Sequence, residues 1–311
     1  LIATVHLPPS SRSIRIVRRR KNEGIENRGY AIISARAHEF RNAWRFGFPM
    51  PPVTAILISY NEELDLPRAL ASLAGIADEI ILVDSGSTDR TCEIAREYAA
   101  RVYARKMDGF AAQKNFAASL ASNDWLLSID CDEELSPELR SSLLAWKQHT
   151  PDRNAYAFPR MTNYLGGWIT HSGWYPDYKI FLYRRGKGKF VGALHERVEV
   201  QGPAGRLEGH LYHYTVRSFA EHKAKVEAYT NMAAEDMFAQ GRRSWRAAMI
   251  VAPPWTFLQK LVFQRGVLDG RRGWLIAWMS AKYIYSKYRK LGRLCTGQKL
   301  TERSWPNPGE A

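Results

Sequence analysis

A chain of 311 residues with 45% hydrophobic content can bury one large core or two modest ones. Its net charge of +14 sits at the ends: residues 1–50 hold ten Lys/Arg against three acids, and residues 241–311 hold fourteen against three. The centre is therefore mildly acidic, which argues against a nucleic-acid groove, and three cysteines (Cys92, Cys131, Cys295) without C-x-x-C spacing argue against a disulfide framework or structural zinc.

Residues 1–50 read as a basic, poorly ordered extension without the apolar core of a secretory signal, and the functional domain is expected to start near Met50. Residues 53–60 form an apolar run of buried-strand type, ended by Asn61-Glu62-Glu63. A helix follows, with Leu66, Leu70 and Leu73 at helical spacing. Residues 79–83 are the second strand, ended by Asp84-Ser85-Gly86-Ser87-Thr88-Asp89; Ser87 or Thr88 can cap a helix over 91–100. Residues 102–104 make a short third strand, and Gly109 opens a small-residue helix reaching about Ala121. Residues 125–129 are the fourth strand, which ends in Asp130-Cys131-Asp132-Glu133-Glu134. This βαβαβαβ rhythm predicts a doubly wound parallel sheet with right-handed crossovers.

In each strong unit the polar cluster follows the strand, so Asn61-Glu62, Asp84-Ser85 and Asp130-Asp132 should share the edge where such sheets bind ligands. Asp130 and Asp132, two hard oxygen donors at a turning strand end, suit Mg²⁺ or Mn²⁺ that also carries substrate phosphate. Glu133 and Glu134 read as helix-start charges. No G-x-G-x-x-G or G-x-x-x-x-G-K-[ST] occurs, which disfavours a dinucleotide fold or P-loop.

Residues 51–145 thus form the half that carries this ligand edge, and residues 146–240 an aromatic, Gly-rich half of antiparallel flavour. Its Trp and Tyr residues either stack on sugar rings or fill the core. A helix is expected over 218–240 and a break at Pro253-Pro254. Residues 241–311 form a basic helical region and a loose tail. The segment 255–291 reads as an amphipathic helix lying on an anionic membrane surface, with Arg271, Arg272, Lys282, Lys287, Arg289 and Lys290 near headgroups, or as an ordinary packed helix. Its most apolar stretch, 273–279, is too short to span a bilayer.

The motifs I-S-Y-N-E-E, V-D-S-G-S-T-D and I-D-C-D-E-E resemble the inverting nucleotide-sugar glycosyltransferases of the GT-A fold, glycosyltransferase family 2. Within it, Ala77-Asp78-Glu79-Ile80, Gly166-Gly167-Trp168, the run from His171 to Asp177, Leu194-His195-Glu196 and the run from Leu268 to Gly273 are similar to the lipopolysaccharide inner-core β-1,4-glucosyltransferase branch. The resemblance covers roughly residues 52–291 and implies a GT-A-type, Rossmann-like mixed α/β sheet with an antiparallel acceptor side and C-terminal amphipathic helices.

It also implies roles. Tyr60 would stack on the base and Asp84 accept the uracil N3–H, while Asn61 and Glu62 shape the nucleotide pocket. Lys114 would approach the diphosphate. Asp130 would contact the ribose or the metal shell, and Asp132 would ligate the divalent cation. Glu196 is the first candidate for the base that activates the acceptor hydroxyl, and Asp177 the second. His195 would orient Glu196 or complete the metal shell. Processive members carry a downstream Q-x-x-R-W, which Gln264-Arg265-Gly266 does not match, so a single addition per cycle is expected. The implied reaction is hexose transfer from a UDP-sugar to a lipopolysaccharide-core or other lipid-linked glycan, on the cytoplasmic face of the inner membrane. The alternatives are a peptide S- or O-glycosyltransferase of the same fold, or a nucleotide-sugar-binding module without turnover.

Overall fold

The computed structural model describes residues 50–192 and 196–300; the expectations for residues 1–49 and 301–311 and for His195 lie outside them. Strand β1 (Val53–Ser59) is buried at every position but Ile58, as a strand must be when helices cover both faces of its sheet. Its side chains alternate between two cores. Val53, Ala55 and Leu57 join Leu66, Leu70, Leu127 and Phe158, while Ile56 joins Ile81, Val83, Leu126 and Tyr183.

The parallel half continues through α1 (Leu66–Ser72), β2 (Glu79–Asp84), α2 (Thr91–Glu97), β3 (Arg101–Ala104), α3 (Phe110–Ser119) and β4 (Trp125–Ser128). Strand β1 pairs in parallel with both β2 and β4, and β2 with β3. The chain therefore reverses its winding beside β1, and Ser59, Asp84 and Ser128 end on one rim, with Ser59 opposite Asp84 in register.

Beyond β4 lie β5 (Glu133–Leu135), α4 (Pro137–Lys147), β6 (Ala155–Tyr164), β7 (Gly167–Trp168), β8 (Asp177–Arg184), β9 (Gly188–Val191), β10 (Arg197–Val200), β11 (Gly205–Arg206) and β12 (Leu211–Val216). Strand β8 runs antiparallel between β4 and β6, β12 is parallel to β6, and β5 closes the order β3-β2-β1-β4-β8-β6-β12-β5. The expected GT-A-type mixed sheet with an antiparallel second half is present. One detail differs. Glu133 and Glu134 do not start a helix: they form β5 against β12, and α4 begins at Pro137 under the Ser136 cap.

Three helices follow: α5 (Phe219–Ala239), α6 (Arg246–Leu258) and α7 (Gly270–Cys295), the last two joined by a π-helical turn (Gln259–Phe263) and a 3₁₀ turn (Gly266–Asp269). The segment 255–291 is thus a hairpin, not one helix. Nor do Pro253 and Pro254 break α6, which runs on to Leu258. The N–H groups they lack would have met the carbonyls of Met249 and Ile250. Ile250 is 69% exposed, so water can reach that turn.

Asp269, its side chain only 2% exposed, ties this hairpin to the loop after β7. Its carboxylate accepts from the N–H groups of Thr170 (3.1 Å) and His171 (3.2 Å) and from the Ser172 hydroxyl (2.7 Å). Arg272 donates to the carbonyls of Tyr164 and Leu165, both at 3.1 Å. Gly273 is obligatory here, because a Cβ would stand 1.8 Å from the Gly266 carbonyl oxygen. Asp269→Ala would strand the buried Ser172 hydroxyl and two N–H groups beside it, and would break the pairing with His171. Urea denaturation should show it less stable by about 3–5 kcal/mol, and a loss within experimental error would mean the tie is decorative.

Candidate active site

Five acids and one ammonium meet at the carboxyl ends of β1 and β4. Lys114 on α3 is 7% exposed. Its Nζ reaches Asp130 Oδ1 at 2.7 Å and Glu196 Oε1 at 3.0 Å, and lies 5.5 Å from the centre of the Phe190 ring. Burial alone would depress this ammonium, but Asp130 and Glu196 outweigh it and hold Lys114 protonated. One side chain therefore bridges an acid of the parallel half and an acid of the antiparallel half.

Asp132 faces His213 on β12, with Nε2 at 3.3 Å. Burial pushes its carboxyl up, yet His213 and the nearby cations more than offset this and keep it well below its ordinary value. A quarter of its side chain is exposed, so it is not sealed beneath packed residues. Glu62 is pushed up to about 8, first by burial and then by Asp132 and Asp130. Glu133, 1% exposed, accepts from the Asp130 N–H at 2.8 Å and rises to about 7 through burial and the charge of Asp130. Its Oε1 and the His213 Nδ1 are buried without a hydrogen-bond partner among the described residues. The rim thus crowds together more carboxyl groups than it can keep ionised.

That surplus and the hard oxygen donors fit a divalent cation bound together with phosphate oxygens. Among the described residues no three His, Cys, Asp or Glu side chains already converge as ligands. Mg²⁺ and Mn²⁺ sites of this kind need only one or two carboxylates, because phosphates and water complete the shell.

Tyr60, at the end of β1, is 37% exposed and free to offer a ring face. Asp84, the expected base contact, is built into the turn after β2. Its carboxylate takes the hydroxyls of Ser59 (2.9 Å) and Ser87 (2.5 Å) and the N–H groups of Gly86 (2.9 Å) and Ser87 (2.8 Å). Burial raises its carboxyl, but these bonds outweigh burial and hold it below the ordinary value. A nucleobase N–H can be received only if a hydroxyl swings away. Asn61, at φ 55°, accepts the Thr88 N–H at 2.8 Å and pins the same turn.

Asp177 opens β8 and pairs with Arg160 (3.1 Å) and Lys179 (3.4 Å); Arg160 also stands 3.6 Å from Glu133. The roles of His213, Arg160 and Glu133 were not read from the sequence. The alternation of Leu211 and His213 on one face of β12 was the available signal for the histidine.

Beside the rim is a cavity of about 400 Å³, walled by Trp174, Val216, Lys225, Tyr229, Met279 and Tyr283 among others. Burial and then Glu196, Asp132 and Asp130 raise the Tyr229 phenol, so this wall lies within the field of the acids. Trp168, 39% exposed, stacks obliquely on Tyr212 at 4.5 Å between ring centres.

Residues 54–211, just over half the chain, match the model of the glycosyl transferase family 2. The chain belongs to that family. It is a glycosyltransferase, and the matched segment contains the site residues from Tyr60 to Glu196, whereas Tyr212, His213, Val216 and the helical cavity wall lie beyond it. An uncharacterized glycosyltransferase of Rickettsia typhi is 29% identical over 257 residues, covering 79% of this chain and 87% of the relative. The lipopolysaccharide core biosynthesis glycosyltransferase LpsC of Rhizobium meliloti is 29% identical over 256 residues, covering 77% and 94%. Among solved structures, the mannosyltransferase PcManGT from Pyrobaculum calidifontis, in complex with GDP-Man and Mn²⁺, matches 84% of this chain and 94% of its own at 14% identity and a TM-score of 0.45.

Proposed function

We propose that this protein transfers a hexose, glucose first among the candidates, from a UDP-sugar to a hydroxyl of a lipopolysaccharide-core or other lipid-linked glycan. The transfer proceeds with inversion and makes one addition per cycle. The observation that carries this reading is the Lys114 bridge between Asp130 and Glu196, which sets a diphosphate-seeking cation and a candidate base within one hydrogen bond of each other. The LpsC name supports the acceptor class.

In this reading Tyr60 stacks on the base, and Glu62 with the Asp84 turn shapes its pocket. Lys114 meets the diphosphate. Asp132 and Asp130 would hold the divalent cation together with phosphate oxygens and water, while His213 positions Asp132; His195 remains a further candidate for that shell. When bound, the cation neutralises the departing UDP. Glu196 takes the proton from the acceptor hydroxyl as that oxygen bonds to the sugar carbon and the carbon–phosphate-oxygen bond breaks. Glu196 is preferred to Asp177 because two cations, Arg160 and Lys179, already occupy the latter. The acceptor enters from the side of Trp168 and the helical cavity. The reaction takes place on the cytoplasmic face of the inner membrane, where the protein is peripheral. Among the described residues no helix is long and apolar enough to cross a membrane.

The test is a screen of UDP-hexoses with Mn²⁺, following UDP release with and without a heptose-containing core oligosaccharide freed of its lipid. Acceptor-dependent UDP release is the expected result. Pyrophosphate release, or donor binding without turnover, would sink the proposal.

A further inference from the structure

The hairpin of α6 and α7 is apolar where it should not be. Not one of the thirteen residues of α6 is buried, although its sequence is RAAMIVAPPWTFL. Val251, Trp255 and Phe263 are 68%, 56% and 65% exposed, and Leu268, Trp274 and Trp278 are 65%, 54% and 55% exposed. Rings of the hairpin gather in two pairs. The Trp255 and Phe263 rings lie 5.7 Å apart, and Trp274 packs edge-on against Phe257 of α6 at 5.0 Å. Trp278 follows one turn along α7. Soluble monomers rarely leave so many large apolar side chains of one hairpin in water.

The charge around the patch selects its partner. Residues 241–300 contain thirteen Lys/Arg and a single acid, Asp269, whose carboxylate is turned inward onto Thr170, His171 and Ser172. The exposed surface of this segment is therefore cationic, with Lys290 offset by Glu227 of α5. Arg246, Arg265 and Arg271 are exposed beside the apolar residues. Two cations read from the sequence as headgroup contacts are not available. Lys290 is buried on Glu227 and Thr230, and Arg272 is committed to the backbone of Tyr164 and Leu165.

We infer that this hairpin is a membrane-docking surface. Its tip, from Leu258 to Leu268, and the exposed tryptophans sink into the interface of an anionic bilayer while the arginines meet lipid phosphates. A protein partner matched to this face would have to be both apolar and strongly acidic, whereas an anionic bilayer is both by construction. Interfacial tryptophan and a basic rim are the expected composition for such a contact. The inference rests on the peripheral location proposed above and names the surface that achieves it. It differs from a single helix lying flat, because the contact is made by the turn and one side of two antiparallel helices.

The experiment is co-sedimentation of the full chain with vesicles of phosphatidylglycerol and phosphatidylethanolamine, against vesicles of phosphatidylcholine alone. Binding to the anionic vesicles that weakens with added salt is expected. The double variant Trp255→Ser/Phe263→Ser, both exposed and so harmless to folding, should bind at least about tenfold more weakly. Equal binding to both vesicle types, or none at low salt, would overturn the inference. So would light scattering that shows a dimer abolished by the same variant, which would make the patch a contact between copies. The acceptor-dependent release of UDP with a lipid-free oligosaccharide needs no vesicle. A protein that passes that assay and fails this one loses the docking surface and keeps its chemistry.

Discussion

Asp132→Ala is expected to lower kcat by about three orders of magnitude or more and to remove the cation dependence of UDP binding. The carboxylate is fixed by its place at the turn after β4. Its backbone oxygen accepts the Tyr214 N–H at 2.9 Å, a bond that the substitution leaves intact. The fold should therefore survive while the ligand is lost. His213 then has no carboxylate to pair with and cannot substitute for a hard oxygen donor. Steady-state UDP release and calorimetric titration of UDP with and without Mn²⁺ check this. Full turnover in the variant, or in the unaltered protein under excess chelator, would remove the metal from the reading altogether.

Glu196→Gln is expected to cost about 10²- to 10⁴-fold in kcat with UDP-sugar binding nearly unchanged. The amide keeps an oxygen for Lys114, so the bridge across the two halves stays, and what disappears is the proton acceptor. Asp177→Asn should cost about tenfold, mostly through looser placement of Arg160 beside Glu133. Single-turnover rates on preloaded donor separate the two effects. If the larger loss falls on Asp177, the base has been placed on the wrong strand.

The parallel half of the fold could be read in the sequence because each strand there is buried on both faces and each ends in a polar cluster, at Asn61, Asp84 and Asp130. That pattern is local. Where pairing is non-local, the reading stopped short. Glu133 and Glu134 look like helix-start acids because Ser136-Pro137 follows, yet β12, some eighty residues later, takes them into the sheet. The same strand brings His213 to Asp132, a meeting that no spacing announces. Pro253-Pro254 looks like a break because proline costs a buried helix dearly, but α6 is not buried. Lys114 is legible only through the family resemblance, as a diphosphate contact. Its double pairing with Asp130 and Glu196 depends on how β10 returns, which lies beyond any local rule.

The tie between Asp269 and Thr170–Ser172 bears on how far the chain can be shortened. The family pattern ends at Leu211, yet the loop leading to Asp177 is held by a side chain nearly sixty residues further on, and the wall facing the acids comes from α5 and α7. The smallest autonomous catalyst is therefore considerably longer than the segment by which its kind is recognised. Expression boundaries drawn at the end of that pattern would discard the scaffold of the acceptor side.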